Sequence, residues 1–309
     1  MPLVSSRGGA YSRLHRNQSR LAADVYGVLY FNHGATSTLY RSNTREKFVL
    51  ATSVVTASTN LINTCTNQAA VGNSKVGIIA TGFNGNNTPA KEKFTYTTET
   101  SSNATSSTAY NTYGCGAGNK DMAVFHLGWG TTYTKIRNTH LYATDAVAAT
   151  TSASTASYAG SATGTSDYAV FSLGGTSAGA STLTEKFVYA TKLVSTWTTL
   201  PYATSGGCAA GMSTDAFGGI GNSRNTYRIT YATSTVALAP LLPVKTIYGS
   251  AACDSNRCVI NLGGTDTTNV VNKKYLYTFS TKTLVATTSG IQASWGGSAL
   301  STAIVGVNV

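Results

Sequence analysis

Short apolar runs that end on a small residue recur along this chain at near-constant spacing. They read Gly27-Val-Leu-Tyr-Phe-Asn-His-Gly34, Val76-Gly-Ile-Ile-Ala-Thr-Gly82, Ala123-Val-Phe-His-Leu-Gly128 and Ala169-Val-Phe-Ser-Leu-Gly174-Gly175. Three more follow: Ala216-Phe-Gly-Gly-Ile-Gly221, Cys258-Val-Ile-Asn-Leu-Gly263-Gly264 and Ala303-Ile-Val-Gly-Val-Asn308. Their terminal positions step by 48, 46, 46, 47, 42 and 45 residues. A fixed period over the whole length is the signature of a repeat architecture.

A second phrase holds the same period. It is Glu46-Lys-Phe-Val-Leu-Ala-Thr52, Glu92-Lys-Phe-Thr-Tyr-Thr-Thr98, Thr139-His-Leu-Tyr-Ala-Thr144, Glu185-Lys-Phe-Val-Tyr-Ala-Thr191, Tyr227-Arg-Ile-Thr-Tyr-Ala-Thr233 and Lys274-Tyr-Leu-Tyr-Thr-Phe-Ser280. Apolar residues alternate within it, which predicts a half-buried strand. Before each glycine-ended run lies a strand of small residues and then a polar turn, such as Gly116-Ala-Gly-Asn-Lys-Asp121, suited to a hairpin. After the aromatic phrase comes a further segment, clearest in Ser195-Thr-Trp-Thr-Thr-Leu-Pro201 and Ala237-Leu-Ala-Pro-Leu-Leu-Pro243. Proline there suits an edge strand, where a missing N–H leaves no ladder bond unmade.

Each unit therefore predicts four antiparallel strands: a small inner strand, a glycine-ended strand, an aromatic strand and an edge strand. Small residues belong where several sheets converge on one axis. The expectation is an all-β chain forming a single β-propeller. Seven hairpins can be counted, the first over about residues 20–34 and the last over about 293–309. They predict seven blades, or six if the first or last hairpin lies outside the ring. The last unit lacks an outer pair, and the residue 1–19 segment is expected to return as a strand that closes the ring; the alternatives are a disordered arm or one docked on a neighbour. The domain reading is an arm over 1–19 and a propeller over 20–309.

Composition agrees. Hydrophobic residues make up 42% and charged ones only 11% of 309 residues, so the chain is globular. Polar character falls to Thr, Ser, Asn, Tyr and Gly, residues of strands and turns, and no helix-period stretch stands out. The net charge of +11 is uneven: Arg7, Arg13, Arg16 and Arg20 all precede the first acid, Asp24. Such an arm suits docking on an acidic protein surface or on nucleic acid. No basic stripe interleaved with aromatics accompanies it, which argues against specific nucleic-acid reading.

The fourth unit, with Gly174-Gly175, Tyr189 and Trp197-x-x-Leu200-Pro201, resembles the kelch repeat, and the likeness runs through roughly residues 22–309. Gly82, Gly128 and Gly221 lack the second glycine, and the other units lack the tryptophan. The Ser/Thr/Ala/Asn-rich texture, with its Tyr-Ala-Thr phrases, looks most like kelch-like proteins of tailed bacteriophages. That resemblance implies a non-enzymatic structural component of a virion, associated with the tail as nozzle, hub or fibre, present in multiple copies, assembled in the host cytoplasm and acting in docking or host contact. Its partners would be other virion proteins, through the arm and loops, and a host receptor or glycan.

Candidate chemistry is sparse. The start, Met1-Pro-Leu-Val-Ser-Ser-Arg7, has no apolar core after a basic segment and does not read as a secretory signal; no run is long enough to span a bilayer as a helix. Five cysteines, an odd number, are read as thiols, with Cys253 and Cys258 flanking a turn as the pair to check. The four histidines show no metal-pair spacing, and His126 and His140 read as core or edge residues. Asp121, Asp167 and Asp215 recur before the glycine-ended strand and read as hairpin caps. No phosphate loop, sialidase-type Asp-box, metal or cofactor site is expected. Trp197 reads as packing; Trp129, after a glycine-ended strand, and Trp295, in the last inner strand, are the candidate contact aromatics, together with the four arginines of the arm. The alternatives are a carbohydrate-binding or carbohydrate-cleaving propeller, which needs aromatics and acids clustered on one face, and an intracellular kelch adaptor.

Overall fold

The computed structural model describes residues 27–36, 41–265 and 269–302. Blade 1 begins with β1 (Val28–Asn32), β2 (Arg45–Val49) and β3 (Val54–Ser58). Blade 2 comprises β4 (Ala69–Gly72), β5 (Val76–Ala80), β6 (Lys91–Thr95) and β7 (Thr100–Ala104), and blade 3 comprises β8 (Cys115–Gly118), β9 (Met122–His126), β10 (Arg137–Leu141) and β11 (Val147–Thr150). Blade 4 is β12 (Ser161–Gly164), β13 (Tyr168–Ser172), β16 (Thr184–Val188) and β17 (Val194–Thr196), with a ribbon of β14 (Gly175–Thr176) and β15 (Gly179–Ala180) between its middle strands. Blade 5 is β18 (Cys208–Gly211), β19 (Asp215–Gly219), β20 (Thr226–Thr230) and β21 (Thr235–Ala239); blade 6 is β22 (Ser250–Cys253), β23 (Arg257–Asn261), β24 (Lys274–Thr278) and β25 (Thr283–Thr287). The last strand, β26 (Ser298–Ser301), pairs antiparallel with β1, from Asn32↔Ser298 to Leu29↔Ser301.

The ring therefore has six blades, not seven. The first and last hairpins counted in the sequence are two halves of one blade, whose order is β26-β1-β2-β3. A strand from the C-terminal end closes the described ring: β26 takes the inner place of blade 1 and touches the inner strands on either side, β22 and β4. The seventh apolar run, 303–308, and the arm with its four arginines lie outside the described residues.

The strand types are as read, and burial gives the reason for each. The second strand of a blade is flanked by strands of its own sheet and covered on both faces by neighbouring blades, so nearly every position is buried (as in β9, β13 and β23) and the sequence is a continuous apolar run. Outer strands such as β3, β7 and β25 are largely exposed and rich in Ser and Thr. Pro201 and Pro240 fall just beyond the outer strands instead of within them. Among the described residues no apolar cluster fills the centre of the ring. Six apolar clusters lie between successive blades; Phe217 of blade 5, for example, stacks on Tyr277 of blade 6 with centroids 3.9 Å apart. Trp197 packs against the cluster between blades 4 and 5, as expected.

The terminal glycines are explained by close approach. Gly128 has φ +72°, and a Cβ there would lie 2.5 Å from the carbonyl oxygens of Thr112 and Tyr113. Only glycine accepts both the left-handed backbone and the contact. The hairpin caps sit two residues earlier than read. Asn73, Asn119, Thr165 and Asp254 accept the N–H groups two and three residues on, forming Asx- and ST-turns. Asp121 instead pairs with exposed Lys120, and Asp215, in β19, receives Arg228. Cys253 and Cys258, paired across β22 and β23, are disulfide-bonded where thiols were expected, while Cys65, Cys115 and Cys208 are free and buried.

The Glu-Lys-Phe phrase carries a second role that the alternation did not show: it ties blades together. Glu185 receives Arg137 of blade 3 at 2.6 Å and the N–H of Ser154 at 2.7 Å. Glu92 accepts the N–H groups of Ile62 and Asn63 from the blade 1 outer loop. Arg45, Lys91, Arg137 and Lys274 each lie over a phenylalanine of the next blade, at 3.8, 5.1, 4.4 and 4.9 Å. Blade 3 carries Asn138 in place of the glutamate, so Lys91 is left as a 2% exposed ammonium with no hydrogen-bond partner. Burial pushes its pKa down to about 8, against the opposing pull of Asp145. The folded value lies below the unfolded one, about 10.5, so the cost is full below pH 8 and disappears as pH rises through 10.5. Lys91→Met should therefore stabilise the fold by roughly 3 kcal/mol at pH 7, with the advantage over the parent shrinking above pH 8. Paired urea titrations at pH 7 and pH 10 measure this; a variant less stable than the parent at pH 7 would refute it.

Candidate binding face

All six inner strands begin at one face, which we term the mouth face. Just before each lies a residue in the left-handed region: Asn67, Tyr113, Ala159, Gly206, Tyr248 and Gly296, with φ between +51° and +74°. Their backbones join in a circle. The N–H of Tyr113 donates to Asn67 O (3.1 Å), Ala159 to Tyr113 (2.8 Å), Gly206 to Ala159 (2.8 Å), Tyr248 to Gly206 (2.8 Å) and Gly296 to Tyr248 (3.0 Å). Gln68 N–H closes the circle on Gly296 O at 3.1 Å. Left-handed backbone costs an ordinary residue about 1 kcal/mol or more, and the bonds of the circle hold four non-glycine residues there. Below the mouth, Ala and Gly of the inner strands line a narrow axial channel with cavities of about 100 and 80 Å³. This is the crowding the small inner residues predicted.

The turn aims the side chains of Asn67, Tyr113 and Tyr248 at the mouth. Around them runs an unbroken series of rings. Trp295 meets Tyr248 (5.6 Å between centroids), Tyr248 meets Tyr113 (5.4 Å), Tyr113 meets Tyr158 (5.9 Å), and Tyr158 stacks on Tyr133 (4.9 Å, 5° between planes). Trp129 lies edge-on to both Tyr133 and Tyr158. Six aromatics from blades 1, 3, 4 and 6 thus form one arc, each ring half-buried and half-presented. Beyond Tyr133 the arc opens into a cleft of about 230 Å³ walled by Tyr110, Thr131, Thr132, Thr134 and Ile136.

Among the described residues no charged side chain lines the mouth or the cleft. Burial, then the neighbouring phenols Tyr113 and Tyr158, push Tyr248 up to about 12; burial likewise raises Tyr113. Both phenols therefore stay protonated near neutrality, each able to donate and to accept. Two buried polar atoms here have no partner: the side-chain carbonyl oxygen of Asn67 and the indole N–H of Trp295. Among the described residues no three His, Cys, Asp or Glu side chains lie together as metal ligands. His126 is buried with Nε2 2.9 Å from Ser157 Oγ, and His140 Nε2 is 2.8 Å from Asp145, away from the mouth lining.

The two candidate tryptophans, 166 positions apart in sequence, prove to belong to this one arc, Trp295 at one end and Trp129 against Tyr158 and Tyr133 near the other. Trp295 sits just ahead of β26 and not within it. Sequence reading missed the four tyrosines between them. A signal was present: an aromatic stands one or two places before a glycine at the start of an inner strand in Tyr113-Gly114, Tyr158-Ala-Gly160, Tyr248-Gly249 and Trp295-Gly-Gly297. No protein-family model matches the chain, and no curated protein matches it.

Proposed function

We propose that this propeller is a non-enzymatic contact module of a tailed-phage virion, kelch-like in ancestry, and that the mouth face is the surface that meets its target. The observation that carries the contact reading is the six-ring arc. Aromatic side chains held by a rigid scaffold are the groups that most often dominate binding, and here strained backbone is maintained to present them. The virion assignment rests on the sequence texture, the low charge and the basic arm, which would attach the module to neighbouring tail subunits.

The reading is tested on purified particles. The chain should be found by mass spectrometry and by antibody labelling at the tail, and soluble propeller should compete with particles for host cells. Absence from particles overturns the virion assignment. Presence without competition overturns the contact role and leaves a purely architectural one.

A further inference from the structure

We infer that the aromatic arc is the binding track for a linear, neutral oligosaccharide, with one end seated at the mouth beside Asn67 and Trp295 and the chain running over Tyr248, Tyr113, Tyr158 and Tyr133 to the cleft at Tyr110. The inference rests on the contact reading above and names its ligand class. Successive ring centroids stand 4.9 to 5.9 Å apart, close to the length of a pyranose unit, so a linear chain of sugars keeps step with the rings, meeting ring edges at the stacked Tyr158–Tyr133 pair. Sugar rings present apolar C–H faces to aromatic faces and hydroxyls at their edges, the same division that a half-buried tyrosine offers.

Charge narrows the class. The chain carries a formal +11, yet among the described residues no charged side chain lines the mouth or the cleft. An acidic glycan would find no cation there, and a cationic ligand no carboxylate. The unpartnered pair narrows it further. The Asn67 side chain hydrogen-bonds Tyr113, but its Oδ1 has no donor and the Trp295 N–H no acceptor, and leaving either unmet in a complex is costly. A hydroxyl supplies both. A proline-rich peptide, the other ligand suited to aromatic grooves, offers carbonyl acceptors but few N–H donors, so it would leave Asn67 unmet. Three threonine hydroxyls in the cleft extend the same polar edge.

The backbone offers clean variants. Tyr113 and Tyr248 have φ of +55° and +52°, so Tyr113→Gly and Tyr248→Gly remove a ring at positions where glycine relieves strain. Asn67→Gly removes the acceptor in the same way, and Trp295→Phe keeps a ring while removing the donor. The isolated propeller is titrated, by tryptophan fluorescence and calorimetry, with neutral hexose and N-acetylhexosamine oligomers of two to six units, with sialylated and sulfated glycans, and with a proline-rich peptide. The expected result is binding of a neutral oligomer that tightens with length, a loss of about tenfold or more for each tyrosine variant and a smaller loss for Asn67→Gly and Trp295→Phe, all with unchanged melting temperature or a higher one. Preference for acidic glycans, preference for the peptide, absence of neutral-sugar binding at millimolar concentration, or tyrosine variants that bind as the parent would each overturn the inference. Particle labelling reads the virion assignment separately, so the two can fail independently.

Discussion

A chain that stops at Gly297 should not hold the closed ring. Loss of β26 removes the four-residue ladder to β1 and the inner wall between β22 and β4. It takes away Leu300, 2% exposed, which packs with Tyr30, Ile79 and Phe94 across blades 1 and 2. It also removes Ser298, which receives Asn32 Nδ2 at 3.0 Å and donates to Gln68 Oε1 at 3.1 Å; Asn32 in turn accepts Arg45 at 2.6 Å. Leu300→Ala alone is expected to cost about 2–5 kcal/mol, against a total stability on the order of 5–15 kcal/mol. The truncated chain should therefore lose its cooperative thermal transition, elute at a larger radius and become protease-sensitive. A peptide covering residues 293–309, added in trans, should restore part of the transition, because strand addition to an open edge uses the same ladder. A truncated chain that melts with the parent would show that blade 1 does not depend on β26.

This strand is also where sequence reading went furthest astray, and the cause is physical. Periodicity reports what each strand packs against, and a second strand buried on both faces looks the same whichever terminus supplies its inner neighbour. The run at 28–32 announced a blade and the segment at 293–309 announced another, but nothing in either tells that Ser298–Ser301 lies beside Val28–Asn32, more than 260 residues away. Six-fold closure is a long-range fact. The clash of Gly34 with the backbone of Trp295 and Gly296, were it to gain a Cβ, repeats the relation of Gly128 to Thr112 and Tyr113, and places residues 295–296 as the turn into blade 1.

The binding face was legible in halves. Trp129, after a glycine-ended strand, and Trp295, in the last unit, are legible as candidate contact aromatics. Tyr113, Tyr158 and Tyr248 were hidden because tyrosine is common in this chain, and others such as Tyr189 and Tyr231, just past their strands, lie fully inside the interblade clusters. What separates the two groups is backbone: Tyr113 and Tyr248 hold positive φ and Tyr158 directly precedes such a residue, Ala159, and dihedral angles are not written in hydrophobic periodicity. The same scaffold logic absorbs the buried charges. They mark blade seams, and the seam between blades 6 and 1 joins Glu46, Lys274 and His33.

At that seam Glu46→Ala should be among the most damaging single substitutions in the protein. Glu46, Lys274 and His33 are all fully buried. Lys274 pairs directly with Glu46, His33 Nε2 lies 3.2 Å from it while its Nδ1 meets Ser294 Oγ at 2.7 Å, and the N–H of Ile291 donates to the carboxylate at 2.6 Å. Removing the carboxylate leaves the Lys274 ammonium buried without its counter-charge, a change that costs about 3–5 kcal/mol. Lys274→Met in the same chain should recover much of that loss, because the unpaired charge, more than the missing attraction, sets the penalty. Acid offers an independent reading. Burial alone would raise the Glu46 carboxyl, but the hydrogen bond from His33 and the charge of Lys274 outweigh it and hold the pKa at about 2, below the ordinary 4.5. The folded state thus binds the proton less readily than the unfolded chain, so this stabilisation is present above pH 4.5 and is lost as pH falls from there through 2. The shift corresponds to roughly 3 kcal/mol. Denaturant titrations from pH 7 to pH 2.5 should show the parent losing more stability than Glu46→Gln/Lys274→Met over that window; parallel curves would mean that Glu46 is not the group whose protonation weakens the seam.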